Sequence, residues 1–394
     1  MVPLTCKGFT ACGMAAGIKK NGNRDLGLLV SDRPARAAAV FTKNLVQAAP
    51  VQLDRERIKS GTARAVIVNA GNANCANGRH GRVAARAMSA AVARALNVPE
   101  DHVLVASTGV IGAPFPIEMV ESAVPDLVEK LDPGGIPDLA RAIMTTDTRP
   151  KTGARQGAVD GVAYRIVAVA KGAGMIRPDM ATMLCFICTD AAIPVSDLQT
   201  ALKRSVDLSF NRITIDGDSS TNDTVIIMAN GASGAGIEAE TDKAAFQKLL
   251  EDLCMDLARQ MVKDGEGVTK VVDLTVRGAR SDPDARAIAD TIAHSPLVKT
   301  AFFGEDANWG RIIAAAGRAG VFLDPERLDL YFDDVQMVKN GMGCGPDAEE
   351  KATKVLRKPE FSVTLDLNLG EGAATMLTCD FSLDYVKINA DYRS

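Results

Sequence analysis

Two Ala-Thr-Met-Leu stretches, Ala181-Thr182-Met183-Leu184 and Ala374-Thr375-Met376-Leu377, set a threonine just ahead of an apolar run. A threonine so placed can become a nucleophile that carries its own base. Cutting the chain before it frees an α-amine with an ordinary pKa of about 7.7–8.0, which accepts the hydroxyl proton at neutral pH. Self-cleavage asks for a strained turn, a hydroxyl aimed at the preceding carbonyl, and donors for the oxyanion that forms. Thr182 follows KGAGMIRPDM, where two glycines and Pro178 favour a non-regular loop. Thr375 follows GEGAA. Local pattern leaves both threonines open.

Other chemistries find less support. The three histidines, His80, His102 and His294, lie in neither a GxSxG nor an HExxH context. KGAG at 171–174 lacks P-loop spacing, and no GxGxxG follows a strand. Cys185 and Cys188 form a CxxC inside the apolar MLCFIC, with no second ligand pair to complete a zinc site. They read as buried structural thiols, and no metal site is expected.

The elements that must position such a nucleophile alternate along the chain. AVIVN (65–69), VLVAS (103–107), YRIVAVA (164–170), MLCFICT (183–189) and TVIIMAN (224–230) predict strands. Residues 83–97, 117–131 and 242–265 predict helices, the last stopped by Gly265, and Ser196 with Gln199 predicts a capping box opening a further helix to about Phe210. From about Val271 the texture changes, with strand patterns at VVDLTVRG, 361–370 and 376–388, so a domain boundary is expected near 270. Strands adjacent to helices favour mixed α/β or α+β layers.

Length and composition agree with two globular domains. The chain has 394 residues, 47% hydrophobic and 24% charged, with a net charge of -4 that offers no footprint for nucleic acid. No apolar run approaches the roughly 20 residues that span a bilayer, and the N-terminus lacks signal-peptide regions. Eight scattered cysteines argue against a disulfide scaffold. A soluble, cytoplasmic protein is expected.

KGAGMIRPDMATMLCFICTDA (171–191) strongly resembles the processing and active-site motif of the ArgJ-type ornithine acetyltransferase (glutamate N-acetyltransferase) family. The resemblance runs from end to end. GFTACGMAAGIKKNGNRDLGLLVSD (8–32), NAGNANCANG (69–78), ASTGVIG (106–112), TTDT (145–148), DGDSSTND (216–223), KDGEG (263–267), GEDANWGRI (304–312) and DYVKINADYRS (384–394) match in order. Asp179 and Ser394 depart from it, standing where asparagine and threonine are common.

The resemblance implies an N-terminal-nucleophile enzyme that cuts itself between Ala181 and Thr182 and uses Thr182 as nucleophile. It selects Thr182 over Thr375. It implies an α+β sandwich of the DmpA/ArgJ-like type, with a core catalytic domain over 1–270 and a smaller C-terminal α/β domain over 271–394 whose tail returns to the active site. Thr108 and Gly109 match the pair that donates to the oxyanion. Lys171, Glu266, Asn389 and Ser394 match substrate-binding positions, with Thr146 of the TTDT run, or its neighbour Thr145. The implied reaction is a ping-pong transfer of acetyl from N-acetylornithine to glutamate in arginine biosynthesis. It needs no metal or organic cofactor, and acetyl-CoA is a candidate second donor. The implied assembly is an α2β2 pairing of the two fragments. Two rival readings are an N-terminal-nucleophile aminopeptidase or amidase, and an inactive homologue that only binds.

Overall fold

Among the described residues, small and β-branched side chains build eight strands ahead of the long helix that starts at Glu240: β1 (Phe9–Met14), β2 (Leu26–Phe41), β3 (Thr62–Asn72), β4 (Val103–Val110), β5 (Lys151–Val159), β6 (Val162–Lys171), β7 (Leu184–Thr189) and β8 (Thr224–Ala229). The computed structural model describes residues 2–177 and 183–391. Its chain divides into two units. One holds the chain up to Asn211 together with Asp218–Met261, and the other holds Arg212–Gly217 together with everything from Val262 onward. The division falls inside the long helix, ahead of the change of texture near 270.

In the first unit the strands form one sheet in the order β4-β3-β2-β8-β7-β6-β5, with β1 also paired to β2. The 16-residue β2 joins its halves. Leu26–Val30 pairs with β3, Arg36–Phe41 pairs with β8, and the register shifts between Val30 and Ala35. Alternation then sorts the side chains, because successive residues face opposite sides of a sheet. Ala65, Ile67, Val103 and Val105 pack under α1 (Ala49–Arg57), α2 (Gly78–Leu96) and α3 (Ile117–Glu129). Val66, Val68, Leu104 and Ala106 turn the other way, into one core with Val167, Val169, Leu184 and Phe186 of the other half and with α4 (Ile136–Ala142). Beyond those strands lie α5 (Val195–Leu208) and α6 (Glu240–Lys263). Tyr164 of β6 meets Phe246 of α6 with ring centroids 6.0 Å apart. The two halves of this one sheet share a core, so helices and sheet make mixed α/β layers.

The second unit is a six-stranded mixed sheet: β9 (Val271–Ala279), β10 (Asp329–Phe332), β11 (Val335–Lys339), β12 (Met342–Gly343), β13 (Glu360–Asp366) and β14 (Gly372–Cys379), in the order β12-β11-β10-β13-β9-β14. Its core takes Val272, Leu274 and Val276 of β9, with Ile288 and Ile292 of α7 (Asp282–Ala293). The helices α8 (Pro296–Phe303), α9 (Trp309–Gly317), α10 (Pro346–Leu356) and α11 (Leu383–Ala390) complete it.

Two local expectations need correction. α5 starts at Val195 with Pro194 as N-cap and no side-chain cap, so Ser196 sits inside the first turn and no capping box forms. The fixed backbone angle of proline suffices to open the helix there. The 376–388 run is not one strand. β14 ends at Cys379, and the Ser382 hydroxyl accepts from Tyr385 N at 3.3 Å to cap α11. A serine N-cap overrides the alternation that follows it.

Candidate functional site

β4 closes on Thr108 and Gly109, and β6 closes on Lys171. The fold brings these strand ends together in the first unit. Lys171 Nζ donates to Thr145 Oγ1 at 2.9 Å and to Thr108 Oγ1 at 3.3 Å. Lys171 is 3% exposed and Thr108 4%. An ammonium group only donates, so both hydroxyls accept from it and each keeps its own proton for another acceptor. Gly109 holds φ at 129°, and a Cβ there would lie 2.4 Å from the Gly71 carbonyl carbon. Only glycine fits this crossing of β3 and β4.

A carboxylate lies behind the lysine. Asp147 Oδ1 accepts from Lys151 Nζ at 2.6 Å and from Gly172 N at 2.8 Å. Its Oδ2 accepts from Thr145 N at 3.0 Å and stands 4.0 Å from Lys171 Nζ. Burial pushes the Asp147 carboxyl up, but Lys171 and Lys151 together outweigh that and hold it down at about 2.

Ala181 and Thr182 lie outside the described residues, as does Ser394. Met183, the residue after Thr182, is buried, and its amide donates to Asp223 Oδ1 at 2.8 Å. Asp223 is fully buried, and its Oδ2 has no hydrogen-bond partner among the described residues. Burial pushes this carboxyl well above the usual range. Beside it, Asn222 Nδ2 donates to Ala73 O at 2.7 Å and Ser107 O at 2.8 Å, tying the entry of β8 to the ends of β3 and β4. Thr375 behaves differently: its hydroxyl pairs with that of Thr275 at 2.9 Å across β14 and β9, as an ordinary strand threonine.

Of the TTDT pair, Thr145 meets Lys171, while Thr146 is half-buried beside it. In the second unit Glu266 is 8% exposed and its Oε2 accepts from Asn389 Nδ2 of α11 at 2.8 Å. Gly267 holds φ at 68°, and a Cβ there would come within 2.4 Å of Tyr385 N. The glycine after Glu266 therefore lets the turn lie against the start of α11. Cys185 and Cys188 are buried in β7, and no cluster of three metal-ligating side chains occurs among the described residues. No described helix is long and apolar enough to cross a membrane.

Sequence reasoning passed over Asp147, Lys151, Asn222 and Asp223. Asp147 lies inside the TTDT run, and Asn222 and Asp223 inside DGDSSTND, so their motifs were visible while their roles were not.

A buried lysine lies between the Thr108 and Thr145 hydroxyls where β4 and β6 end, an arrangement whose charge and donors suit an anion or an oxyanion. The ArgJ family model matches residues 10–394. The arginine biosynthesis bifunctional protein ArgJ of Geobacter sulfurreducens is 54% identical over 393 residues, covering 99% of this chain and 100% of that one. Its counterpart in Syntrophotalea carbinolica is 50% identical over 390 residues, covering 98% and 99%. The crystal structure of the ArgJ protein from Bacillus halodurans is 42% identical, covers 52% of this chain and 97% of its own, and superposes with a TM-score of 0.50. The chain belongs to the ArgJ family, and it is an acyltransferase of arginine biosynthesis.

Proposed function

We propose that the chain cuts itself between Ala181 and Thr182 and then transfers acetyl from N-acetylornithine to glutamate through an acetyl-Thr182 ester. Thr182 Oγ attacks the acetyl carbonyl while its own α-amine takes the hydroxyl proton. The tetrahedral oxyanion rests on the Thr108 hydroxyl and the Gly109 N–H. On collapse, ornithine leaves with the proton and the ester remains. The glutamate amine then attacks that ester and gives up a proton to the Thr182 α-amine, the acyl C–O bond breaks as the α-amine returns the proton to Thr182 Oγ, and N-acetylglutamate leaves.

The observation that carries this reading is the hydrogen bond from Lys171 to Thr108. It obliges the hydroxyl to accept from the lysine, so its proton is directed elsewhere, as an oxyanion donor requires. Lys171 supplies positive charge for a substrate carboxylate, and Glu266, with Asn389, receives the substrate's ammonium end. Ser394 and a threonine of the 145–146 pair complete the binding set. The nucleophile brings its own base, so the reaction needs no metal or organic cofactor. The fragments stay together as an α2β2 assembly in the cytoplasm.

Incubation with acetyl-labelled N-acetylornithine tests the reaction. With glutamate, label should appear in N-acetylglutamate; without it, on the peptide beginning at Thr182. Release of free acetate at the same rate with and without glutamate would favour the amidase reading. Its relatives are called bifunctional, which favours acetyl-CoA as a second donor; initial rates with each donor at fixed glutamate decide that point.

A further inference from the structure

Asp147 has more bonds than an incidental buried carboxylate needs. Lys151 Nζ and Gly172 N reach Oδ1, and Thr145 N reaches Oδ2, on the side where Lys171 Nζ stands at 4.0 Å. Two of those donors are backbone groups, one adjoining Lys171 and one belonging to the threonine that Lys171 touches. Lys171 and Lys151 are both at most 3% exposed. Two ammonium groups so deeply buried need a shared anion, because an uncompensated buried charge is strongly unfavourable. Lys151 takes the direct 2.6 Å contact, while the Lys171 ammonium points on to the Thr108 and Thr145 hydroxyls.

We infer that Asp147 is a positioning residue for acyl transfer: it fixes Lys171 and Thr145 relative to each other, and Lys151 holds Asp147 in place for that task. The inference deepens the proposed function and rests on Lys171 serving substrate or oxyanion there. The division of labour is geometric. Lys151 saturates Oδ1 together with Gly172 N, so Asp147 cannot swing toward Lys171 and draw it off the hydroxyls. Lys19, the next cation in this cluster, is occupied by the Arg24 and Met144 carbonyls at 2.7 Å each and lies near Asp25. It does not replace Lys151 at Asp147.

The test compares kcat/KM and thermal stability of the processed enzyme for Lys171→Met, for the pair Asp147→Asn with Lys151→Met, and for all three changes together. Removing both members leaves no direct ion pair but strands the buried Lys171 charge, which the triple variant then removes, so the paired variant is expected to fold with a melting temperature below those of the wild type and the triple variant. Its kcat/KM should fall by about 10-fold or more. Adding Lys171→Met should then cost less than about 3-fold further, because residues acting through one another are not additive. Wild-type kcat/KM in the paired variant overturns the inference. So does a fully additive triple variant, and so does a paired variant that cannot fold, which would assign Asp147 to the framework alone. Failure of the underlying reading looks different: Lys171→Met by itself would transfer acetyl at the wild-type rate.

Discussion

Asn389 donates to Glu266 Oε2 at 2.8 Å, joining the last helix of the chain to the turn that follows α6. The same amide also donates to Tyr385 O at 3.0 Å, so it is held from two sides. Glu266 is thus a buried carboxylate whose remaining oxygen suits a second, charged donor such as a substrate ammonium. Glu266→Gln keeps the size and removes the charge. Hydrogen bonds to charged groups contribute about 1.5–3 kcal/mol. kcat/KM for N-acetylornithine should fall roughly 10- to 100-fold, or about 1.4–2.7 kcal/mol. Self-cleavage uses no substrate and should continue. Asn389 is itself exposed, so in Asn389→Ala water can take its place on Glu266 and the change should cost only a few-fold. Transfer at the wild-type rate by Glu266→Gln would leave the residue a structural partner of Asn389 with no part in substrate binding.

The TTDT run makes a sharper contrast between neighbours. Thr145 accepts from Lys171 and Thr146 does not. Thr145→Val removes a part-buried acceptor of the Lys171 ammonium while nearly conserving shape, so kcat/KM should drop by about 10-fold or more. Thr146→Val should stay within about 3-fold. A reversed order would make Thr146 the residue that touches substrate.

Processing has a readout that needs no substrate. Wild-type protein should resolve on denaturing gels into fragments of roughly 19 and 22 kDa, by mean residue mass. Thr182→Ala should remain one chain of 41.5 kDa. Fragments from that variant would mean that another agent or another bond is responsible. Thr375 is a poor substitute, since its hydroxyl already pairs with Thr275 inside a regular ladder.

How much of this was legible depends on how locally each feature is determined. β4, β7 and β8 are buried along almost their whole length and read as continuous apolar runs. The edge strand β5, Lys-Thr-Gly-Ala-Arg-Gln-Gly-Ala-Val, is half-exposed and polar, so nothing in its pattern announces a strand. α11 was hidden for the opposite reason: its alternation continues that of β14, and only Ser382 marks the change. Thr108, Lys171 and Glu266 stand inside whole motifs, ASTGVIG, KGAGMIRPDM and KDGEG, which singles them out as candidates. Asp147 was not legible. Its meaning comes from Gly172 N and Lys151 Nζ, which the pairing of β5 with β6 brings to it. Asp223 likewise gains its role only when β7 and β8 run parallel, from Leu184 beside Thr224 onward, so that the residues just ahead of each strand meet.

The two buried carboxylates predict opposite responses to pH. Asp147 has its folded pKa lowered to about 2 from an ordinary 3.8. It therefore contributes stability that is fully present above the ordinary value and is lost as pH falls toward 2, on the order of 2 kcal/mol. Asp223 has its folded pKa raised well above 3.8, first by burial, against the lowering effects of Met183 N, Lys171 and nearby hydroxyls. Its stabilising contribution is present below the ordinary value and disappears as pH rises through the folded pKa. Asp147→Asn should destabilise the protein at pH 7 by roughly 3–5 kcal/mol, since Lys151 and Lys171 lose their anion. Asp223→Asn keeps an acceptor for Met183 N and removes a charge that the interior disfavours, so it should raise the melting temperature at pH 8 and leave it nearly unchanged at pH 4. Melting curves of the two variants and the wild type across pH 4–8 decide the matter. A lower melting temperature for Asp223→Asn at pH 8 would mean that its unpartnered oxygen is satisfied as an anion, and that the carboxylate is a built part of the site.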